Sequence, residues 1–159
     1  PTRLKIKLSW QHYFPACSTS PWQLDGVIKK LKEDGFDDLI PTHNGTVVVD
    51  AREGEVNNKH DVVVRRHGLE SVHLEDVEWV PLPFSDDFLV LDQIYPDGIN
   101  IPKFLIDKNV IHLPTMKTHV FTTITGAMKN AFGGLLNFQR HWTHSLIHET
   151  LVEIGRAHV

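Results

Sequence analysis

RLKIKLSWQHYFPACSTSPWQLDGVIKKLKEDGFDDLI, Arg3 to Ile40, changes its hydrophobic period twice. At the start, Leu4, Ile6 and Leu8 alternate with Arg and Lys. Period two predicts a strand whose basic residues lie on a partly solvated face. A loop follows. Ser20-Pro21 then reads as a helix N-cap followed by proline at the first helical position, and Gly35 as the stop. Between them Leu24, Val27, Ile28 and Leu31 fall at helical spacing. "DDLI" closes the stretch as a second strand. Strand, helix, strand predicts a layered α/β fold whose mixed sheet is at least partly parallel, with helices packed on it.

Working outward, "TVVVDA" (46–51) reads as a strand after the turn "THNG". Asn57 or Asn58 is a candidate cap for a helix through Arg66, ended by Gly68. "VEWVPL" (77–82) and "FLVLDQI" (88–94) read as strands, with Pro81 marking the first as an edge or irregular strand. Pro102–Asp107 suits one helical turn. "NVIHL" (109–113) suits a buried strand. Thr122 or Thr123 is a candidate cap for a helix over Ile124–Phe132, stopped by Gly133-Gly134. A last helix is expected from about Arg140.

With 159 residues, 41% of them apolar, the chain can form one domain with a sizeable core. A formal charge of −4 predicts neither a nucleic-acid nor a membrane surface. The single cysteine, Cys17, cannot form an internal disulfide or hold a cluster alone. It suggests a reducing compartment, so a cytoplasmic location is expected. Residue 1 is Pro rather than Met, which leaves a preceding signal peptide open. The tail "IGRAHV" back-translates to ATC GGA AGA GCA CAC GTC, the start of a common sequencing adapter. The expectation is that Ile154–Val159 is foreign, that residues 1–153 form the single domain, and that the native chain continues past Glu153.

"VIHLPTMKTHVFTTITGAMKNAFGGLLNF" (110–138) is too polar and glycine-rich for simple core. In open α/β sheets ligands bind at the carboxyl ends of strands. A loop leaving such an end carries Lys117 and His119 and enters a helix whose free N–H groups favour anions. Gly126, Lys129, Asn130 and Gly133 share one helical face, which lets a ligand approach closely. The ligand-binding candidates are therefore Lys117, Thr123, Thr125, Gly126, Lys129 and Asn130. His119 and His144 are the acid/base candidates, because imidazole titrates near neutrality.

His141, His144 and His148 would lie within about 60° of one helix surface. No acidic or cysteine ligand accompanies them at a metal-motif spacing, so no metal site is assigned. Cys17, near His12 in a Ser/Thr-rich loop, reads as a spectator thiol. Phosphate-loop, nucleophile-elbow and dinucleotide fingerprints are absent.

The same residues resemble the signature of the prokaryotic family called domain of unknown function 362. The matching positions are Leu113-Pro114, Lys117 with His119, Thr125-Gly126-Ala127 with Lys129-Asn130, and Phe132-Gly133, followed by His141 or His144. The early helix and the strand after it also resemble the family. Members of the family often sit beside ferredoxin-type segments. The resemblance thus implies a possible iron–sulfur partner, although residues 1–159 contain no Cys-x-x-Cys for a cluster. Two functions follow: binding or acting on a small phosphate- or carboxylate-bearing molecule, or a redox accessory role beside an iron–sulfur protein. The cofactor is not specified.

Overall fold

A computed structural model describes residues 1–83, 88–136 and 139–156. In chain order the elements are β1 (Thr2–Ile6), α1 (Pro21–Glu33), β2 (Leu39–His43), α2 (Ala51–Asn57), α3 (His60–Arg66), β3 (Val72–His73), β4 (Trp79–Leu82), α4 (Leu91–Ile94), β5 (Ile99–Pro102), β6 (Asn109–Leu113), β7 (Lys117–His119), β8 (Thr123–Thr125), α5 (Ala127–Leu135) and α6 (Ile147–Arg156). Single 3₁₀ segments occupy Lys103–Leu105 and Arg140–Leu146. The fold is α/β. Four strands pair in the order β3-β2-β1-β6, and all three pairings are parallel.

The opening βαβ unit forms as its sequence predicts. Ser20 accepts from the Gln23 N–H at 3.1 Å, and Gly35 leaves α1 at φ +86°, where a side chain would be strained. α1 and α3 cover one face of the sheet, where Leu4, Ile6, Leu24, Ile28, Val63 and Val64 make the first core. A second core joins α4, β5, α5 and α6 through Leu91, Tyr95, Ile99, Phe132, Ile147 and Ile154.

Several local readings change. The second face of β1 is not solvated, since Arg3 and Lys5 are both buried. Arg3 stacks on Phe104, 4.2 Å from the ring centroid, and Lys5 passes under α5. "TVVVDA" yields only a Thr46–Val49 bridge before Asp50 caps α2 with its carboxylate. The helix expected after Asn57 or Asn58 forms as α3 but starts at His60, with Lys59 at φ +64° before it, and α2 is a further helix that was not expected. "FLVLDQI" forms a turn of helix, α4, rather than a strand. β6 lies at the edge of the described sheet and buries only Leu113. The helix expected from Ile124 starts at Ala127, because Thr123–Thr125 pairs back on Lys117–His119 as a hairpin. Gly133 and Gly134 lie inside that helix. α6 runs on to Arg156, and Ala157–Val159 of the tail fall outside the described residues. Among the described residues, no helix is long and apolar enough to cross a membrane.

Candidate functional site

Strand order decides where a crevice opens. From β1 the chain moves to β2 and then β3 on one side, whereas β6 lies on β1's other side. That reversal places a cleft beyond the carboxyl ends of β1 and β6. Thr19 ties the two ends together: its hydroxyl accepts from the Lys7 N–H at 2.8 Å and donates to the Leu113 carbonyl.

The cleft is a cavity of about 590 Å³. β1 and the residues after it supply Lys5 and Lys7, the loop after β2 supplies Asn44, and β7 supplies Lys117 and His119. α5 supplies Lys129 and Asn130 along its side, and the 3₁₀ segment supplies Arg140, His141 and His144. In a 3₁₀ helix residues i and i+3 eclipse, so His141 and His144 share a side. His148, on α6, is exposed and does not line the cavity.

Five cationic side chains therefore line one space: Lys5, Lys7, Lys117, Lys129 and Arg140. Among the described residues, no Asp or Glu lines it. Burial, then the Lys7 and Arg140 charges, push the Lys5 ammonium down to about 7. Burial, then Lys117 and Lys129, bring Lys7 to about 8, and burial, then Arg140 and Lys117, bring Lys129 to about 8. Two ammonium groups even 8 Å apart repel by about 2 kcal/mol at an effective dielectric constant of 20. Glu75 eases this from outside the lining by favouring the charged forms of Lys5 and Arg140. Lys129 also rests over the Phe132 ring, 4.5 Å from its centroid.

Packing fixes several of these groups. Lys5 fits because position 134 is glycine: a Cβ there would overlap Lys5 Cε. Asn130 donates to the Lys5 carbonyl at 2.9 Å, locking α5 onto β1. Arg140 donates to the Gly45 carbonyl.

The two histidines differ. His119 Nδ1 accepts from the Phe121 and Thr122 N–H groups at 3.2 and 3.3 Å. Its proton therefore sits on Nε2, as the hydrogen bonds assign it. Burial, then Lys129, Lys117, His144 and Lys7, push His119 down to about 4. That shift favours the neutral imidazole at pH 7. His144 stacks on Phe121, with centroids 4.3 Å apart, and lies 6.5 Å from the His119 ring. Burial, then Lys129 and His141, also lower its pKa.

The structure thus gathers Lys117, His119, Lys129, Asn130 and His144 at one cavity. Thr123, Thr125 and Gly126 do not line it. Thr123 is exposed in the hairpin at φ +62°, Thr125 is fully buried, and a Cβ on Gly126 would meet open space. The cavity follows the side of α5, at Lys129, Asn130, Phe132 and Gly133, rather than its N-terminus.

Sequence reading missed Lys5, Lys7 and Arg140. It also missed His43, Glu55 and His73, which lie on three elements and offer ligand atoms within 4.8 Å of one another. Burial alone would raise the Glu55 carboxyl, but His43, His73 and Ser71 hold it well below the carboxylate range. The signals available were the basic residues of β1 and histidines at strand ends.

A second cavity, about 580 Å³ beside Trp22, mixes Asp25 with Lys59 and Arg66 and has no comparable charge excess. A family model described as "Domain of unknown function (DUF362)" matches residues 3–158. No curated protein and no solved structure matches the chain.

Proposed function

The chain belongs to the family described as "Domain of unknown function (DUF362)", and from that premise we propose that its cationic cavity binds a small, multiply charged anion bearing phosphate or carboxylate groups. One observation carries the reading: five basic side chains line the cavity, with no carboxylate among the described residues that line it. Such a set is electrostatically incomplete, and a bound anion offsets the mutual repulsion. Its place at the reversal of strand order, beyond the strand carboxyl ends, is where α/β sheets take ligands. His119 donates from Nε2 to the anion. His144 is the acid/base group, because it lines the same space and its ring lies 6.5 Å from the His119 ring. An accessory role beside an iron–sulfur partner draws on no feature of this cavity.

Calorimetric titration of the full chain with sulfate, inorganic phosphate, pyrophosphate and a dicarboxylate series tests this. Saturable one-site binding is expected, tighter for the more highly charged ions. Lys117→Ala and Lys129→Ala should each weaken it by about 1.5–3 kcal/mol, the range for a charged hydrogen bond. Lys29→Ala, on the exposed side of α1, should leave it unchanged. Absence of saturable binding, or equal losses at Lys29 and Lys117, refutes the proposal.

A further inference from the structure

We propose that His43, Glu55 and His73 form a binding site for one divalent transition-metal ion of the zinc type. The backbone brings them together. His43 and His73 are register partners on the adjacent parallel strands β2 and β3, so their side chains emerge on the same side of the sheet. Glu55 reaches them from α2. The imidazoles meet edge to face, with centroids 4.4 Å apart. Both direct Nε2 at one carboxylate oxygen: Glu55 Oε2 lies 3.3 Å from His43 and 3.1 Å from His73. A tetrahedral ion with bonds of about 2.0–2.1 Å separates its donors by about 3.3 Å. The two imidazole–carboxylate separations match that value, and all three donor atoms lie within 4.8 Å of one another.

A second observation points the same way. His43 is 0% exposed, and neither of its ring nitrogens has a hydrogen-bond partner. Its Nε2 meets only Glu55 Oε2, the oxygen that His73 Nε2 also approaches. A purely hydrogen-bonded cluster leaves this ring unsatisfied, at the cost of burying a polar group without a partner. A metal bond to Nε2 removes that deficit. Two imidazoles and one carboxylate select zinc, cobalt or nickel over calcium and magnesium, which prefer oxygen ligands. His43 directly precedes the cavity residue Asn44, so the ion would sit behind the cationic cavity. His43 Nδ1 and His73 Nδ1 have no acceptor to orient the rings, which argues for an exchangeable ion rather than a locked one.

The test uses the full chain, stripped with a chelator and titrated with Co(II). One equivalent should give the visible absorption of a tetrahedral site, and Zn(II) should displace it. Glu55→Gln and His73→Ala should each weaken binding ~10-fold or more, whereas His148→Ala, at an exposed residue outside the cavity, keeps the spectrum. Because either loss could reflect misfolding, the wild-type histidine ¹⁵N shifts are followed as zinc is added. Movement at His43 and His73 supports the site. A wild-type protein that is folded but gives no stoichiometric tetrahedral spectrum overturns it. So do bands that survive in Glu55→Gln, or shifts confined to other histidines. Sulfate binding is read in a separate titration, so failure of the anion reading leaves this result standing.

Discussion

His119 shows how a single residue's role depends on which nitrogen carries the proton. With Nδ1 accepting two backbone N–H groups, only Nε2–H faces outward. A neutral donor suits an anion without adding a sixth charge to the cavity. His119→Gln keeps an N–H donor and should retain most sulfate affinity, whereas His119→Ala should lose about 1 kcal/mol. In ¹⁵N spectra of the free protein, His119 should hold the Nε2–H tautomer down to about pH 5, since burial and the neighbouring lysines push it to about 4. Titration near 6.5 would count against this electrostatic picture. Lys117, His119 and Lys129 could be picked out from sequence because lysine and histidine among glycines and threonines are conspicuous. Lys5 and Lys7 could not. In "RLKIKLSW" they look like the wet side of an amphipathic strand, and α5, which covers Lys5, comes more than a hundred residues later.

At the scale of elements, α5 carries two neighbouring glycines with opposite demands. A Cβ on Gly133 meets nothing within 4 Å, so Gly133→Ala should gain the helix propensity of alanine, about 1 kcal/mol. A Cβ on Gly134 overlaps the buried Lys5 stem and approaches Leu74 Cδ1 at 3.4 Å. Lys5 is buried beneath the helix, so as long as it keeps its place overpacking of about 1–3 kcal/mol should outweigh the propensity gain. Thermal melts should therefore move in opposite directions for the two variants. A rise in both would mean that Lys5 relocates freely. These glycines read as a helix stop from sequence, yet neither has a positive φ, and the helix passes through both. "FLVLDQI" shows another limit, because a short apolar run fits a strand or a buried helical turn equally well. α1 was readable in full because its cap, period and stop are all local to the chain. The Thr123–Thr125 hairpin was not readable, since its pairing with Lys117–His119 outcompetes a threonine cap.

For the whole molecule, the buried lysines make stability depend on pH with a definite sign. Lys5, Lys7 and Lys129 titrate at about 7, 8 and 8 when folded, against 10.5 for ordinary lysine. Between about pH 7 and 10.5 the unfolded chain binds more protons, so stability rises with pH across that window. It is lost again as pH falls to the folded values. Tyr95, pushed up to about 12 by burial, opposes this only above its ordinary value of 10.0. Urea unfolding at low salt should therefore give a higher midpoint at pH 9.5 than at pH 7.0, and saturating sulfate should flatten the slope. A flat profile without sulfate would mean that the lysines are solvated. The parallel pairing of Thr2 with Asn109 carries a kinetic consequence as well. β1 is an inner strand, but its second neighbour, β6, leaves the ribosome only after β2 to β5 and α1 to α4. Until then one edge of β1 is unpaired, and the face carrying Lys5 stays open until α5 follows. Non-local parallel pairing of this kind folds slowly. Anion-binding competence should thus appear last in refolding, after the α1 and α3 side has already collapsed.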